Sequence, residues 1–213
     1  MAKTDAKNNN GGPPADSFER LIQAFEMLPG VGRRSAERMA YYVLGESKDE
    51  AMRLAYAIRD VKNNLHPCAI CGDLTEKARC SICEDARRDT ALVCVVEWPK
   101  DVRAIEKSGQ YHGRYHVLMG RLSPLAGVEP TDLRIGSLIG RVKSLEIKEL
   151  VLATSPTMEG DATAAFIVGQ AKIANSSIKT TRLARGMPEG SDLSFAQSST
   201  IGEALKGRTE LSH

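Results

Sequence analysis

The stretch ALVCVVEWPKDVRAIE, at residues 91–106, joins a short apolar run to a helical pattern. The apolar run is typical of a buried strand and ends at Glu97. Pro99 stands where a helix can begin, and Val102 and Ile105 give that helix an inner face. A strand followed at once by a helix is the unit from which parallel α/β sheets are built. This stretch therefore predicts the start of an α/β domain.

The same alternation continues towards the C-terminus. Further strand candidates follow at residues 115–119, 150–154 and 177–183. Helical patterns lie between and after them, at about residues 130–146, 162–174 and 200–206. Strands that alternate with helices indicate a mainly parallel sheet with a helical tail.

Before residue 66 the apolar pattern is helical throughout. The first helix is expected from Phe18, with Asp16 or Ser17 as its cap. A second apolar stripe ends near Gly45, and a third consists of Ala51, Leu54, Ala55, Ile58, Val61 and Leu65. An apolar stripe predicts a buried helix face, so the first third is expected to be an all-α module. Residues 1–16 are polar and rich in Asn, Gly and Pro, which predicts a flexible arm.

Composition excludes several classes of protein. The chain has 213 residues, 42% of them apolar, and a net charge of +2. These values are those of a globular protein, not of a disordered or fibrous one, and any basic surface must be local. No apolar run reaches the length of a membrane span, and the N-terminus lacks the apolar core of a secretory signal. We therefore expect a cytoplasmic protein with no membrane partner.

Four of the five cysteines form two close pairs, Cys68-x-x-Cys71 and Cys80-x-x-Cys83. Each pair can place two thiolates on one metal ion, and four sulfurs complete a tetrahedral Zn²⁺ site. A closed site of this kind leaves no position for a substrate, so one structural Zn²⁺ per chain is predicted. The alternative is two redox-active or unligated pairs. Cys94 lies in the apolar run and is interpreted as a small buried residue.

The sequence LPGVG at residues 28–32 lies between two amphipathic helices. Gly30 and Gly32 allow a tight hairpin and a close approach of the backbone to another molecule. The next helix begins directly afterwards, and its N-terminal N–H groups suit a phosphate. Arg34 and Arg38 share one face of that helix and can reach a DNA backbone without reading bases. Together with Arg33, these residues form the predicted DNA-binding site; the alternative is an ordinary hairpin with solvated arginines.

Glu97, Glu159 and Asp161, here called the acidic triad, follow predicted strands. In a parallel sheet they are expected beyond the carboxyl ends of the strands, where ligands bind. Three carboxylates gathered there could hold Mg²⁺. The alternative is that Asp161 caps the next helix and needs no metal.

The order of these features resembles the RecR family of bacterial recombination mediators. The stretches that carry the resemblance are LPGVGRRSAERMAYYVL, the two cysteine pairs, VCVVEWPKDVRAIE, GRYHVLMGRLSPL and LATSPTMEGDATA. The resemblance implies a helix-hairpin-helix module, a zinc ribbon-like insert with four cysteines, a Toprim domain and a tail for packing or assembly. Their implied bounds are residues 17–65, 66–89, 90–182 and 183–213.

The resemblance also implies a function in recombinational DNA repair. Members of the family form tetrameric rings around duplex DNA, with little sequence preference, and the hairpins line the ring. They work with RecO and RecF to help load the RecA recombinase at gapped DNA. The family is known for mediators and not for enzymes, so no catalytic residue is expected.

Active Toprim enzymes resemble this chain in having a strand-end Glu, matched by Glu97, but they also carry Asp-x-Asp. Here the first Asp is replaced by Glu159, whose longer arm weighs against tight octahedral Mg²⁺ geometry. The acidic triad is therefore expected to serve as a docking surface, with RecO as the partner. The alternative is a Mg²⁺-dependent Toprim nuclease.

Overall fold

The computed structural model describes residues 16–144 and 147–210. The flexible arm predicted for residues 1–16 lies outside the described residues except for Asp16. The Asp16 side chain accepts a hydrogen bond from the Glu19 backbone N–H at 2.7 Å and so caps the first helix. The chain divides into two compact units, with the boundary after Asn63.

The first unit contains three helices, as the apolar stripes predict. They are α1 (Ser17–Glu26), α2 (Arg33–Gly45) and α3 (Lys48–Asn64). Helices α1 and α2 pack together around Ile22, Ala36 and Ala40, all of which are buried. The alanines on α2 allow the two backbones to approach closely, which gives a small helical hairpin.

Helix α3 departs from the expectation of a buried stripe. It contains every residue of the predicted stripe except Leu65, but none of its residues is buried. Leu54 and Val61 are exposed, and Ile58 keeps 59% of its surface accessible. The sequence pattern sets which face of the helix is apolar, but it does not say what covers that face.

The second unit begins with a cysteine-containing module. Strands β1 (His66–Pro67) and β2 (Leu74–Thr75) pair antiparallel. The loop between them contains the first cysteine pair, Cys68 and Cys71. The short helix α4 (Ser81–Glu84) carries Cys83 and follows directly after Cys80. This arrangement is a small ribbon with one helical turn.

A four-stranded sheet follows, and it confirms the predicted α/β class. Its strands are β3 (Asp89–Val96), β4 (Gly113–Val117), β5 (Glu149–Ala153) and β6 (Lys179–Arg182). Their order is β4-β3-β5-β6, and every neighbouring pair is parallel. Val96 pairs with both Val117 and Ala153, so three strands end side by side.

The sheet is covered on both faces by helices. These are α5 (Pro99–Ser108), α6 (Ile135–Ser144) and α7 (Met158–Ala174). The larger core contains Leu118, Leu138 and Ile167, and a smaller core contains Val96 and Val102. The chain then continues to α8 (Ser198–Lys206), the predicted tail helix. No helix among the described residues is long and apolar enough to cross a membrane.

Several element bounds differ from the expectation by a few residues, and three of the differences have a clear local cause. Strand β4 ends at Val117 rather than 119, because Met119 has the left-handed φ of 64° and leaves the extended conformation. Helix α6 begins only at Ile135, after a separate 3₁₀ turn at Pro130–Asp132. Helix α7 begins at Met158 rather than 162, because Thr157 is its N-cap. The Thr157 hydroxyl accepts a hydrogen bond from the Gly160 N–H at 3.1 Å.

The cysteine module lies against the edge of this sheet. Strand β4 is an edge strand, and its Val117 N–H donates to the Cys71 carbonyl at 2.7 Å. A side chain at Gly72, whose φ is 81°, would come within 3.0 Å of the Val117 carbonyl. Gly72 therefore permits both the turn after Cys71 and the close approach to β4.

Candidate functional site

The four paired cysteines form a compact, buried cluster. Their Sγ atoms all lie within 4.8 Å of one another, and those of Cys71 and Cys80 are 3.5 Å apart. Cys68 lies before the turn that Gly72 closes, and Cys83 lies on α4. The two ends of the module thus bring two sulfurs each to a common centre.

Backbone N–H groups point at the sulfurs. The Cys80 N–H donates to Cys68 Sγ at 3.3 Å, and the Asp73 N–H donates to Cys71 Sγ at 3.5 Å. Such bonds stabilise thiolates, the form in which cysteine binds a metal. The donor set of four close, N–H-supported sulfurs fits Zn²⁺. Cys94 is different, because burial alone raises the pKa of its thiol to about 12, and it stays outside the cluster.

The LPGVG hairpin connects α1 to α2. Gly30 has a φ of 78°, a conformation that an L side chain rarely adopts, so the turn depends on this glycine. Gly32 stands at the N-cap of α2, and no side chain among the described residues caps the helix there. The first N–H groups of α2 are therefore open to an external acceptor.

The structure separates the three arginines of this hairpin. Arg33 ties the two helices together, because its Nη1 lies 2.6 Å from Glu19 Oε1 and 3.6 Å from Glu26 Oε2, both on α1. Its Nε also lies 2.9 Å from Oε1 of Glu37 on its own helix. The Arg33 hydrogen bond lowers the pKa of Glu19. Arg34 and Arg38 are exposed and make no hydrogen bond or ion pair to any described residue.

Glu97 lies directly after β3 and is almost fully buried, with 1% of its surface accessible. Its Oε1 accepts a hydrogen bond from the Ser155 N–H at 2.8 Å, and its Oε2 accepts one from Ser155 Oγ at 2.9 Å. Ser155 follows β5, so Glu97 joins the ends of two neighbouring strands. A nearby positive charge compensates for the loss of solvation of so deep a carboxylate.

Arg121 supplies that charge and also binds Glu159. Its Nη1 lies 3.4 Å from Glu97 Oε2, and its Nε lies 2.7 Å from Glu159 Oε2. Ser123 Oγ donates to the other oxygen of Glu159. The hydrogen bonds from Ser123 and Arg121 lower the pKa of Glu159. The loop after β4 therefore brings a guanidinium between two members of the acidic triad.

Asp161, the third member of the triad, has different partners. Arg182 Nη2 lies 2.8 Å from Asp161 Oδ1, and Arg185 Nη1 donates to Oδ2 at 3.2 Å. The hydrogen bond from Arg185 lowers the pKa of Asp161. Both arginines come from the end of β6 and the residues after it, whereas Arg121 follows β4.

The arrangement does not fit Mg²⁺. Within residues 16–144 and 147–210, the four cysteines form the one group of metal-ligating side chains with sufficiently close donor atoms, so the acidic triad does not gather its oxygens. The sequence did not reveal Arg121, Ser123, Arg182 and Arg185 as partners of the triad. They are distant from the triad along the chain, so no local spacing links them to it. The one sequence feature that could have indicated them is the recurrence of Arg and Ser in the loops that follow the strands.

Apolar side chains lie at the same end of the sheet as the triad. Trp98 follows Glu97 and is 41% exposed, and Met158 opens α7 and is largely exposed. Leu125, in the loop that carries Arg121, is fully exposed. An apolar group beside paired charges is typical of a protein-binding surface.

Three family models match the chain. A model of the RecR helix-hairpin-helix matches residues 18–62, and a model of the RecR zinc finger domain with four cysteines matches residues 65–85. A model of the Toprim domain matches residues 91–184. Together with the sulfur cluster, the zinc-finger match establishes a structural zinc site at the four cysteines.

Curated relatives match over nearly the whole chain. A protein of Rubrobacter xylanophilus is 49% identical over 197 residues, which are 92% of this chain and 98% of the relative. A protein of Acidothermus cellulolyticus is 48% identical, and one of Bifidobacterium longum is 46% identical, each over 91% of this chain and 96% of the relative. All three bear the name "Recombination protein RecR".

Proposed function

The chain belongs to the RecR family of recombination proteins, and from this premise we propose that it is a DNA-binding adaptor without catalytic activity. It binds duplex DNA with little sequence preference and works with RecO and RecF to help load RecA at gapped DNA. The helix-hairpin-helix module supports the DNA-binding part of this proposal. The observation that carries it is that Arg34 and Arg38 on α2 have no hydrogen-bond or ion-pair partner among the described residues.

Arg34 and Arg38 are suited to phosphate contacts. They lie four residues apart on one helix face, and neither is held by a carboxylate among the described residues. The uncapped N-terminus of α2 adds backbone N–H donors next to Arg34. Arg33 has a different role in this proposal: its ion pairs hold α1 against α2, and only its backbone faces the DNA. Contacts of this kind position a duplex but do not read its sequence.

The uncovered face of α3 supports self-assembly. The exposed apolar side chains on this face are Leu54, Ile58 and Val61. A monomeric protein rarely leaves so long an apolar stripe in water, and a second copy of the chain offers the same stripe in return. We assign α3 to an interface within the tetrameric ring.

The partner surface is assigned to the strand ends of the Toprim domain. Trp98, Leu125 and Met158 offer apolar area there, and the ion pairs of the acidic triad offer a polar rim. This combination suits a protein partner better than a nucleic acid, because the nearby arginines are already paired with carboxylates. RecO is the proposed occupant.

The DNA-binding proposal is tested by fluorescence anisotropy with a labelled duplex at a series of salt concentrations. The double variant Arg34→Glu plus Arg38→Glu should lose most of its affinity, and its salt dependence should become shallower. The matched control is Arg53→Glu plus Arg59→Glu on α3, which makes the same change in charge and should retain more of the affinity. Equal losses in both variants would refute the assignment to α2.

The alternative, a Mg²⁺-dependent nuclease, is tested with supercoiled plasmid in excess protein. The adaptor proposal expects a salt-sensitive shift on native gels and intact supercoiled DNA after deproteinisation. Nicked or linear product that requires Mg²⁺ and disappears in Glu97→Gln would establish the nuclease instead.

A further inference from the structure

The carboxylates of the acidic triad are already matched by positive charges from this chain. Each of the six carboxylate oxygens of the triad accepts a hydrogen bond. The donors are three guanidiniums, from Arg121, Arg182 and Arg185, and two serines. Three carboxylates therefore face three arginines, with no surplus negative charge to attract a divalent cation.

We propose that Arg121 takes the place of a divalent cation between Glu97 and Glu159, so that this Toprim domain has a built-in guanidinium where a metal ion would otherwise bind. The presence of Arg121 between the two carboxylates decides which ion the acidic triad takes, and it does not depend on whether Arg34 and Arg38 bind DNA.

The geometry favours a guanidinium over a metal ion. A guanidinium has several N–H donors in one plane and can bridge two carboxylates at hydrogen-bond distance. Arg121 uses two different nitrogens for this, with N···O distances of 3.4 Å to Glu97 and 2.7 Å to Glu159. Mg²⁺ requires near-octahedral oxygen ligands at about 2.0–2.1 Å. It cannot enter while the guanidinium stands between the two carboxylates.

The buried position of Glu97 explains why a cation is needed beside it. Its side chain is buried, and Ser155 supplies hydrogen bonds but no charge. Without Arg121, Glu97 and Glu159 would lie near each other with no cation between them. A hard divalent cation is the simplest replacement, because carboxylate and hydroxyl oxygens are its preferred ligands. Removal of Arg121 should therefore create a metal site that the wild-type protein lacks.

The probe for this site is Mn²⁺ alone, added to zinc-loaded protein without DNA. Electron paramagnetic resonance measures the free Mn²⁺, and quenching of tryptophan fluorescence locates the bound ion. Trp98 is the single tryptophan of the chain and follows Glu97 directly. Quenching by the paramagnetic ion therefore reports binding at this end of the sheet.

We expect Arg121→Ala to bind Mn²⁺ roughly tenfold or more tightly than the wild-type protein and to show saturable quenching of Trp98. The gain should disappear in Arg121→Ala plus Glu159→Gln. Arg121→Lys should bind Mn²⁺ as weakly as the wild type, because an ammonium also occupies the gap. The matched control is Arg87→Ala, which removes one positive charge from an exposed pair with Asp85 and should bind Mn²⁺ as weakly as the wild type.

Two results would overturn the proposal. One is saturable Mn²⁺ binding to the wild-type protein that is lost in Glu97→Gln or Glu159→Gln. The other is Arg121→Ala protein that keeps the wild-type circular dichroism spectrum and binds Mn²⁺ no more tightly than the wild type. The first comparison does not use an Arg121 variant, so it tests the proposal even if Arg121→Ala fails to fold.

Discussion

Replacing Gly160 by alanine should displace the start of α7. A Cβ at this position would lie 2.0 Å from the Ser155 carbonyl oxygen and 3.1 Å from Glu97 Oε1. The first contact is with backbone, which no side-chain rotation can relieve. Either α7 or the Ser155 segment must move, and the Ser155 bonds to Glu97 then lengthen.

The expected cost follows from three contributions. Overpacking against backbone costs about 1–3 kcal/mol, and weakening the two hydrogen bonds to the Glu97 carboxylate costs about 1–3 kcal/mol more. The better helix propensity of alanine offsets about 1 kcal/mol of this loss in stability. The net loss is about 1–5 kcal/mol, which should lower the melting temperature of a unit of this size by roughly 3–15 °C.

Gly169→Ala is the matched control in the same helix. A Cβ at Gly169 meets no atom within 4 Å, and the residue is exposed. This variant should therefore gain about 0.5–1 kcal/mol from helix propensity alone. Circular dichroism at 222 nm during thermal unfolding of zinc-loaded protein measures both variants. If Gly160→Ala melts at or above the temperature of Gly169→Ala, the close approach of α7 to Ser155 is refuted.

Three further outcomes are expected. Cys80→Ser should lower the bound zinc from about one ion per chain towards zero, measured by atomic emission, and should lower the melting temperature; full zinc content in this variant would contradict a four-sulfur site. Ile58→Glu should keep the helical spectrum but reduce the assembled mass in light scattering, and an unchanged mass would remove α3 from the interface. Glu106→Ala leaves the half-buried Arg88 with only one carboxylate contact, the longer one of 3.9 Å to Asp85, and should cost about 2–3 kcal/mol in urea unfolding, whereas Glu203→Ala, in an exposed pair, should be close to neutral.

The fold could largely be predicted from the sequence because its main signals are local. The apolar run at residues 91–97 and the helical pattern after Pro99 identify a strand and a helix within a few residues of each other. The cysteine spacing is equally local, and it predicted the sulfur cluster. The sequence pattern places the start of α7 four residues too late, because Glu159-Gly160-Asp161 has the composition of a loop and the apolar periodicity does not reveal the cap at Thr157.

The partners of the candidate site could not be predicted in the same way. Arg121 reaches Glu97 and Glu159 across 24 and 38 residues of chain, and only the parallel order of the strands brings their ends together. The roles of Arg33 and Arg34 were also not separable from sequence. The two residues are adjacent and point in directions about 100° apart around the helix, and only Arg33 reaches Glu19 on α1.

The bond between Val117 and Cys71 has a consequence for how this protein can fail. It covers the free edge of the sheet at β4 with the turn that holds half of the metal site. When the ion leaves and that turn loosens, the edge strand presents unpaired N–H and C=O groups to any other extended chain. Loss of the metal should therefore lead to strand-to-strand aggregation that depends on protein concentration. In this molecule the bound ion therefore helps to keep the protein soluble, in addition to stabilising the local structure.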